Sequence, residues 1–337
     1  MTARTLYFTG PRSISVRERP VPEPGPGEVR IRTLASAISA GTEGLVYRGD
    51  APASLVADET IDALEGDLSF PLAYGYAAVG RVTATGPDVD DSWLERRVFA
   101  YNPHESHFVA SRDGLVPVPD GLSTRRATLL ANMETAVTFL LDGRPAIGER
   151  VVVYGQGVVG LLTTALLAHA PVETLVAADH LESRRSLAER FGADRTVDPR
   201  EEDVGEVLET TVDDRADLAY ELSGNPAALD DAISATGFDG RVVVGSWYGT
   251  KTAELELGGR FHRDRIDVRS SQVSTIAPEH EGRWSRARRH AVAWEWLERL
   301  PAEPLFTHSF PLERAGEAYR LLEERPEEAI QVVLRYD

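Results

Sequence analysis

Apolar residues follow two rhythms along this chain. Over roughly the first 120 residues they come in short β-like runs broken by Pro and Gly, among them GEVRIRTLAS, YAAVGRVTATG, RRVFAY and SHFVASRDGLVPVP. This texture predicts an irregular, mostly antiparallel unit. From about residue 123 strand-like and helix-like segments alternate. RRATLLANMETAVTFLLDG reads as a helix, ERVVVYG as a strand, VVGLLTTALLAHA as a helix and TLVAAD as a strand. SRRSLAERFGA reads as a helix, ADLAYELSG holds a strand, NPAALDDAISAT is a helix, and GRVVVGS and IDVRSSQ are strands. Strands separated by helices predict a parallel sheet covered on both faces, hence an α/β protein. The tail returns to helix in WSRARRHAVAWEWLERL and LERAGEAYRLLEERP and ends in the β-like AIQVVLRY.

One turn in this alternation carries chemistry. VVVYGQGVVG sets Gly155, Gly157 and Gly160 as G-x-G-x-x-G after a β-branched strand and before an apolar helix. The first glycine permits a tight turn, the second lets backbone approach a pyrophosphate, and the third lets helix pack on strand. The helix start at Val158 and Val159 offers free N–H groups and a positive dipole to phosphate. The next strand ends in Asp179, whose carboxylate suits the ribose hydroxyls and repels a 2′-phosphate. NAD is therefore the expected cofactor. His180, Arg184 and Arg185 follow closely and leave NADP possible.

Composition narrows the rest. The chain has 337 residues, 42% of them hydrophobic, enough for two domains with cores of their own. A net charge of -18 argues against nucleic-acid and membrane partners. The opening MTARTLYFTGPRSISVRE lacks an apolar signal region, so a cytoplasmic location is expected. Lys251 is the only lysine, and acid enrichment with lysine nearly gone resembles proteins of a salt-loaded, halophilic cytoplasm. Cysteine is absent, which removes disulfides and every thiolate metal ligand.

The order of parts resembles the medium-chain dehydrogenase/reductase superfamily, the alcohol and polyol dehydrogenase group. PGPGEVRIRTLASAIS is similar to that family's opening strands, and RRVFAY…SHFVAS…LVPVPDGLS to its later catalytic-domain strands. SAISAGTEG, ANMETAV and RSSQVS look most like the branch that includes bacteriochlorophyllide hydroxyethyl dehydrogenases. The resemblance implies a GroES-like catalytic domain over 1–122, completed by 275–337, and a Rossmann dinucleotide-binding domain over 123–274. It also implies that Gly245, Ser246 and Trp247 approach the nicotinamide, with Ser270 alongside, and that the chain forms a homodimer or homotetramer, the dimer by pairing of the last cofactor-domain strands. Trp247 and Tyr248 could line a substrate pocket or only pack.

The family's zinc ligands do not carry over. Where it has a Cys-Gly-Thr-Asp element, AGTE places Ala40 at the cysteine. Where it has Gly-His-Glu, GYA places Tyr76 and Ala77. Only Glu134 in ANMETAV matches a ligand position. No metal is therefore expected.

Four candidate catalytic residues follow, three from the resemblance and His104 from the H-x-x-H pair. Tyr76 would donate a hydrogen bond to a substrate carbonyl, or would merely fill the space of the metal. Thr42 matches the family's proton-relay hydroxyl, or caps its turn. Glu134 would be a buried acid, protonated or bonded to Tyr76 or Thr42, or else a carboxylate that ties a loop down. His104 in NPHESHF would touch substrate, and His107 less so, or both are simply hydrogen-bonded or solvated. The expected reaction is hydride transfer between nicotinamide and an alcohol or ketone. The alternatives are reduction of an activated C=C bond, as in quinone or enoyl reductases, and an inert nucleotide-binding sensor.

Overall fold

The computed structural model describes residues 2–212 and 214–336. They divide into two compact units, one running to Ala131 and resuming at Trp294, the other Asn132–Ala293. Both boundaries fall later than the resemblance placed them. The physical reason at the second is Arg289, whose guanidinium is held by Glu134 and Thr138 and so keeps the stretch before it in the second unit.

The second unit is built on six parallel strands: Arg150–Tyr154, Thr174–Ala178, Arg195–Val197, Ala216–Glu221, Thr236–Val244 and Asp267–Ser270. Numbered in chain order, they lie 3-2-1-4-5-6. This is the doubly wound Rossmann arrangement, whose order reverses between the first and fourth strands. The side-chain period of two sorts the core. Along the first strand Val151 and Val153 enter one layer with Phe139, Leu167 and Tyr220, while Val152 and Tyr154 enter the other with Leu208, Leu229 and Ile233. Both faces are buried, so this strand reads as a continuous apolar run. The helix Val158–Leu167 is buried at nine of its ten positions, which is why it shows little polar face in the sequence.

The first unit opens with an antiparallel hairpin, Thr2–Gly10 with Ser13–Pro20. Glu28–Ala37 is the hub of its larger sheet, pairing antiparallel with Ala78–Thr85, His107–Ser111 and Gln331–Arg335. The chain's end supplies Phe306–Pro311 and Gln331–Arg335, parallel to each other and linked through the helix Ala315–Glu324.

Several elements were not legible in advance. The expected helix over RRATLLANMETAVTFLLDG is two, Thr124–Ala127 and Leu130–Gly143. At the break the Thr128 hydroxyl donates to the Arg125 carbonyl at 2.7 Å, competing with the helical ladder. The helix Ala40–Arg48 carries two glycines, which hide it from propensity. Among the described residues no helix is long and apolar enough to cross a membrane.

Candidate active site

The glycine loop leaves the first strand at the C-terminal edge of the sheet, where open α/β sheets bind ligands. Gly155 has φ 87°, and a Cβ there would lie 2.5 Å from Ser223 Cα. A Cβ on Gly160 would lie 1.9 Å from the Gly155 carbonyl oxygen. Gly157, at the N-cap of Val158–Leu167, has ordinary φ and nothing within 4 Å of where a Cβ would sit. That open space beside free helix N–H groups fits a pyrophosphate.

Asp179 is buried at the end of the second strand. Its Oδ2 accepts the Gln156 N–H at 2.7 Å and its Oδ1 the Leu181 N–H at 2.8 Å, so each oxygen keeps a lone pair for a ribose hydroxyl. Arg184 approaches Asp179 Oδ2 at 3.8 Å. Arg185 instead bonds the Asp179 carbonyl and, at 3.1 Å, Asp198. Arg200 forks onto the same Asp198, through Nε at 3.1 Å and Nη2 at 2.9 Å. Those hydrogen bonds from Arg200 hold the Asp198 carboxyl well below the usual range.

Further along this edge, Ser246 Oγ accepts the Gly224 N–H at 2.8 Å. A Cβ on Gly245 would strike Phe139 at 2.2 Å. Trp247 is 37% exposed, and Ser270 pairs with Val244 at the end of the sixth strand. Tyr248 donates to Glu221 Oε2 at 2.5 Å, and burial pushes its phenol up. The arrangement fits a dinucleotide, which Gly155, Gly157, Val158, Val159, Gly160 and Asp179 would hold.

In the first unit, Tyr76 is half-buried and its phenol donates to Ser39 Oγ. Burial pushes that phenol up to about 12, against the opposing influence of the Ser39 and Thr42 hydroxyls. Tyr76 is thus a protonated donor at neutral pH, bonded to the Ser39 hydroxyl. The Tyr74 ring meets its ring edge-on, with centroids 6.3 Å apart.

His104 stands elsewhere than expected. It is fully buried, with Nε2 2.9 Å from Glu43 Oε2 and Nδ1 2.6 Å from Ser36 Oγ, so it presents no edge to a substrate. His107 is half-buried on the strand His107–Ser111, its imidazole pushed down first by burial and then by Arg30.

Of the alternatives for Glu134, the structure shows the carboxylate that ties a loop down and not the protonated acid bonded to Tyr76 or Thr42. It is 2% exposed, and its Oε1 accepts from Arg289 Nε at 2.9 Å and Nη2 at 2.6 Å, with His290 Nε2 at 3.2 Å. Arg289, itself 1% exposed, also donates to the Val273 carbonyl at 2.8 Å. An arginine fork places a carboxylate here and ties the 273–275 loop to the helix Leu130–Gly143.

These residues do not fit a tetrahedral zinc. Ala40 and Ala77 have no donor atom, the Tyr76 phenol keeps its proton, and Glu134 serves Arg289. Among the described residues no three of His, Cys, Asp and Glu gather to hold a metal. The residues missed by sequence reasoning are Ser39, Glu43, Gln156, Glu221 and Arg289. Only Glu43 carried a signal, as the acid ending the AGTE element.

The zinc-binding dehydrogenase family matches residues 158–290. The chain is 25% identical over 345 residues to D-guloside 3-dehydrogenase of Escherichia coli K12, covering 98% of this chain and 99% of that one. It is 30% identical over 259 residues to L-threonine 3-dehydrogenase of Pyrococcus furiosus, covering 66% of this chain and 70% of that one. In structure it matches an E. coli CFT073 protein described as a short chain alcohol dehydrogenase complexed with NADH. The TM-score is 0.82 at 20% identity, over 99% of both chains, which speaks for the fold alone. With the 3-2-1-4-5-6 sheet and its glycine loop, these matches assign the chain to the zinc-binding dehydrogenase family of the medium-chain dehydrogenase/reductase superfamily.

Proposed function

We propose that the chain is a zinc-independent, NAD(P)-dependent oxidoreductase that interconverts a secondary alcohol and its ketone. The observation that carries this reading is Tyr76: a neutral phenol, bonded to the Ser39 hydroxyl, at a position where the family holds a metal ligand. Both sequence relatives are named as 3-dehydrogenases, which supports a secondary alcohol as the substrate class.

When bound, the nicotinamide supplies or accepts the hydride. The glycine loop would hold the pyrophosphate and Asp179 the adenosine ribose, with NAD favoured by its carboxylate and NADP kept possible by Arg184. Tyr76 would turn its one proton from Ser39 Oγ to the substrate oxygen. As the carbonyl becomes an alkoxide, the phenol proton passes to it, because an alkoxide is a stronger base than a phenolate even at about 12. Ser39 would pass its hydroxyl proton to the phenolate and regain one from solvent. In oxidation the same path runs backwards. The acidic surface supports a salt-rich cytoplasm. Asp267–Ser270, an edge strand of the sheet, supports a homodimer joined by strand pairing.

The test is a screen of secondary alcohols and ketones with NAD(H) and NADP(H), in high KCl, on protein of assayed metal content. Turnover should persist in excess chelator. Activity that vanishes on chelation and returns with zinc would overturn the reading.

A further inference from the structure

We propose that Glu43 and His104 are positioning residues for Tyr76: one buried carboxylate–imidazole pair fixes both the hydroxyl that receives the Tyr76 phenol and the backbone from which Tyr76 departs. This inference rests on the reading that Tyr76 serves the substrate oxygen.

The pair is sealed, each member being 0% exposed. Glu43 Oε1 accepts the Ser39 N–H at 2.8 Å. Its Oε2 accepts the Tyr319 hydroxyl and His104 Nε2. A carboxylate only accepts, so His104 donates from Nε2, and in the neutral tautomer Nδ1 accepts. Ser36 then donates to Nδ1 and receives the Tyr336 hydroxyl at 2.7 Å. With this tautomer, assigned from the network, every bond in the chain has one donor and one acceptor.

Burying a carboxylate at 0% exposure is costly, and apolar residues would serve stability at least as well. What the pair gains is direction. At one end is Ser39, whose amide is pinned by Glu43 and whose Oγ takes the Tyr76 phenol. At the other is Gly75, directly before Tyr76. Gly75 has φ 123°, and a Cβ there would sit 2.8 Å from His104 Nε2. The imidazole therefore forms the floor on which the Gly75–Tyr76 backbone lies. The preorganisation that a coordinate bond supplies in a metal site would here come from two stacked hydrogen bonds.

The test places 3-fluorotyrosine at position 76 of the full chain and reads its 19F resonance, NADH affinity and turnover. The variants are His104→Leu, His104→Gln and Tyr319→Phe, with His104→Leu repeated on Tyr76→Phe. His104→Leu should displace or split the resonance and lower kcat tenfold or more, leaving NADH affinity unchanged. His104→Gln, which keeps an N–H toward Glu43, should restore most of both. Tyr319→Phe removes one oxygen from the far side of Glu43 and should move the resonance by less. It decides the matter if His104→Leu does not fold. On Tyr76→Phe, His104→Leu should cost nothing more in kcat. An unmoved resonance in the folded variants, or losses that multiply independently of Tyr76, would overturn the proposal. If no alcohol or ketone is turned over, the functional reading fails while the resonance still decides the positioning.

Discussion

The nucleotide cradle of the second unit and the hydroxyl cluster of the first are made of different materials. The cradle is backbone: three glycines, a helix N-terminus and one carboxylate, most of it within Gly155–Gly160. The cluster is side chains: Tyr76, Ser39 and Thr42, braced by Glu43, His104 and Tyr319. Backbone sites fail when something is added, because a Cβ fills the ligand's place. Side-chain sites fail when something is removed, because a buried partner is left without its bond. Glu134 tests which side of this division a retained ligand position falls on.

Its expected effect is the largest. Glu134→Ala leaves the Arg289 guanidinium buried without its carboxylate, a loss of about 3–5 kcal/mol of stability. The melting temperature should drop sharply while the remaining folded protein binds NADH normally. Unchanged stability with lost turnover would move Glu134 from the scaffold to the chemistry.

Next come the glycines, which separate binding from folding. Gly157→Val should fold with unchanged melting temperature, because its Cβ meets nothing and its φ is ordinary. NADH affinity should fall a hundredfold or more, about 3 kcal/mol, by fluorescence titration. Gly160→Ala should lower both stability and affinity, since its Cβ would press the Gly155 carbonyl. Equal behaviour of the two variants would break the account of Gly157 as the pyrophosphate position.

The same division explains what could be read in advance. A backbone site is contiguous in sequence, so G-x-G-x-x-G between a Val-rich strand and an apolar helix shows it directly. The parallel sheet was legible for a related reason, since both faces are buried and its strands stand out as apolar runs. The side-chain cluster is assembled across the chain. Glu43 meets Tyr319 across 276 residues, Ser36 meets Tyr336 across 300, and Arg289 meets Glu134 across 155. No local pattern encodes such pairs, so the sequence named His104 and Glu134 without their partners Glu43 and Arg289. The family pattern located Tyr76 and Thr42 but not Ser39, which the phenol bonds.

A smaller effect is expected at Tyr76 itself. Tyr76→Phe removes one donor, and turnover should fall about tenfold or more, on the order of 1.4 kcal/mol. NADH affinity and melting temperature should hold, because the ring remains against Tyr74. An unchanged rate would reduce Tyr76 to a filler of the metal's volume.

The smallest effect sharpens the choice between nucleotides. Arg185 and Arg200 stand near Asp179, yet both pair with Asp198, while Arg184 pairs with Asp179 itself at 3.8 Å. Asp198→Asn removes the charge that holds them. NADPH affinity should rise severalfold while NADH affinity holds. The carboxyl of Asp198 is depressed below its unfolded value near 4, chiefly by hydrogen bonds from Arg200. A depressed carboxyl contributes stability that is present above the unfolded value and lost as pH falls below it. The parent protein should therefore melt higher than Asp198→Asn at neutral pH, and the gap should narrow progressively as pH falls below about 4. A gap independent of pH, with no gain in NADPH affinity, would mean that Asp198 shapes its strand end without holding the arginines away from the nucleotide.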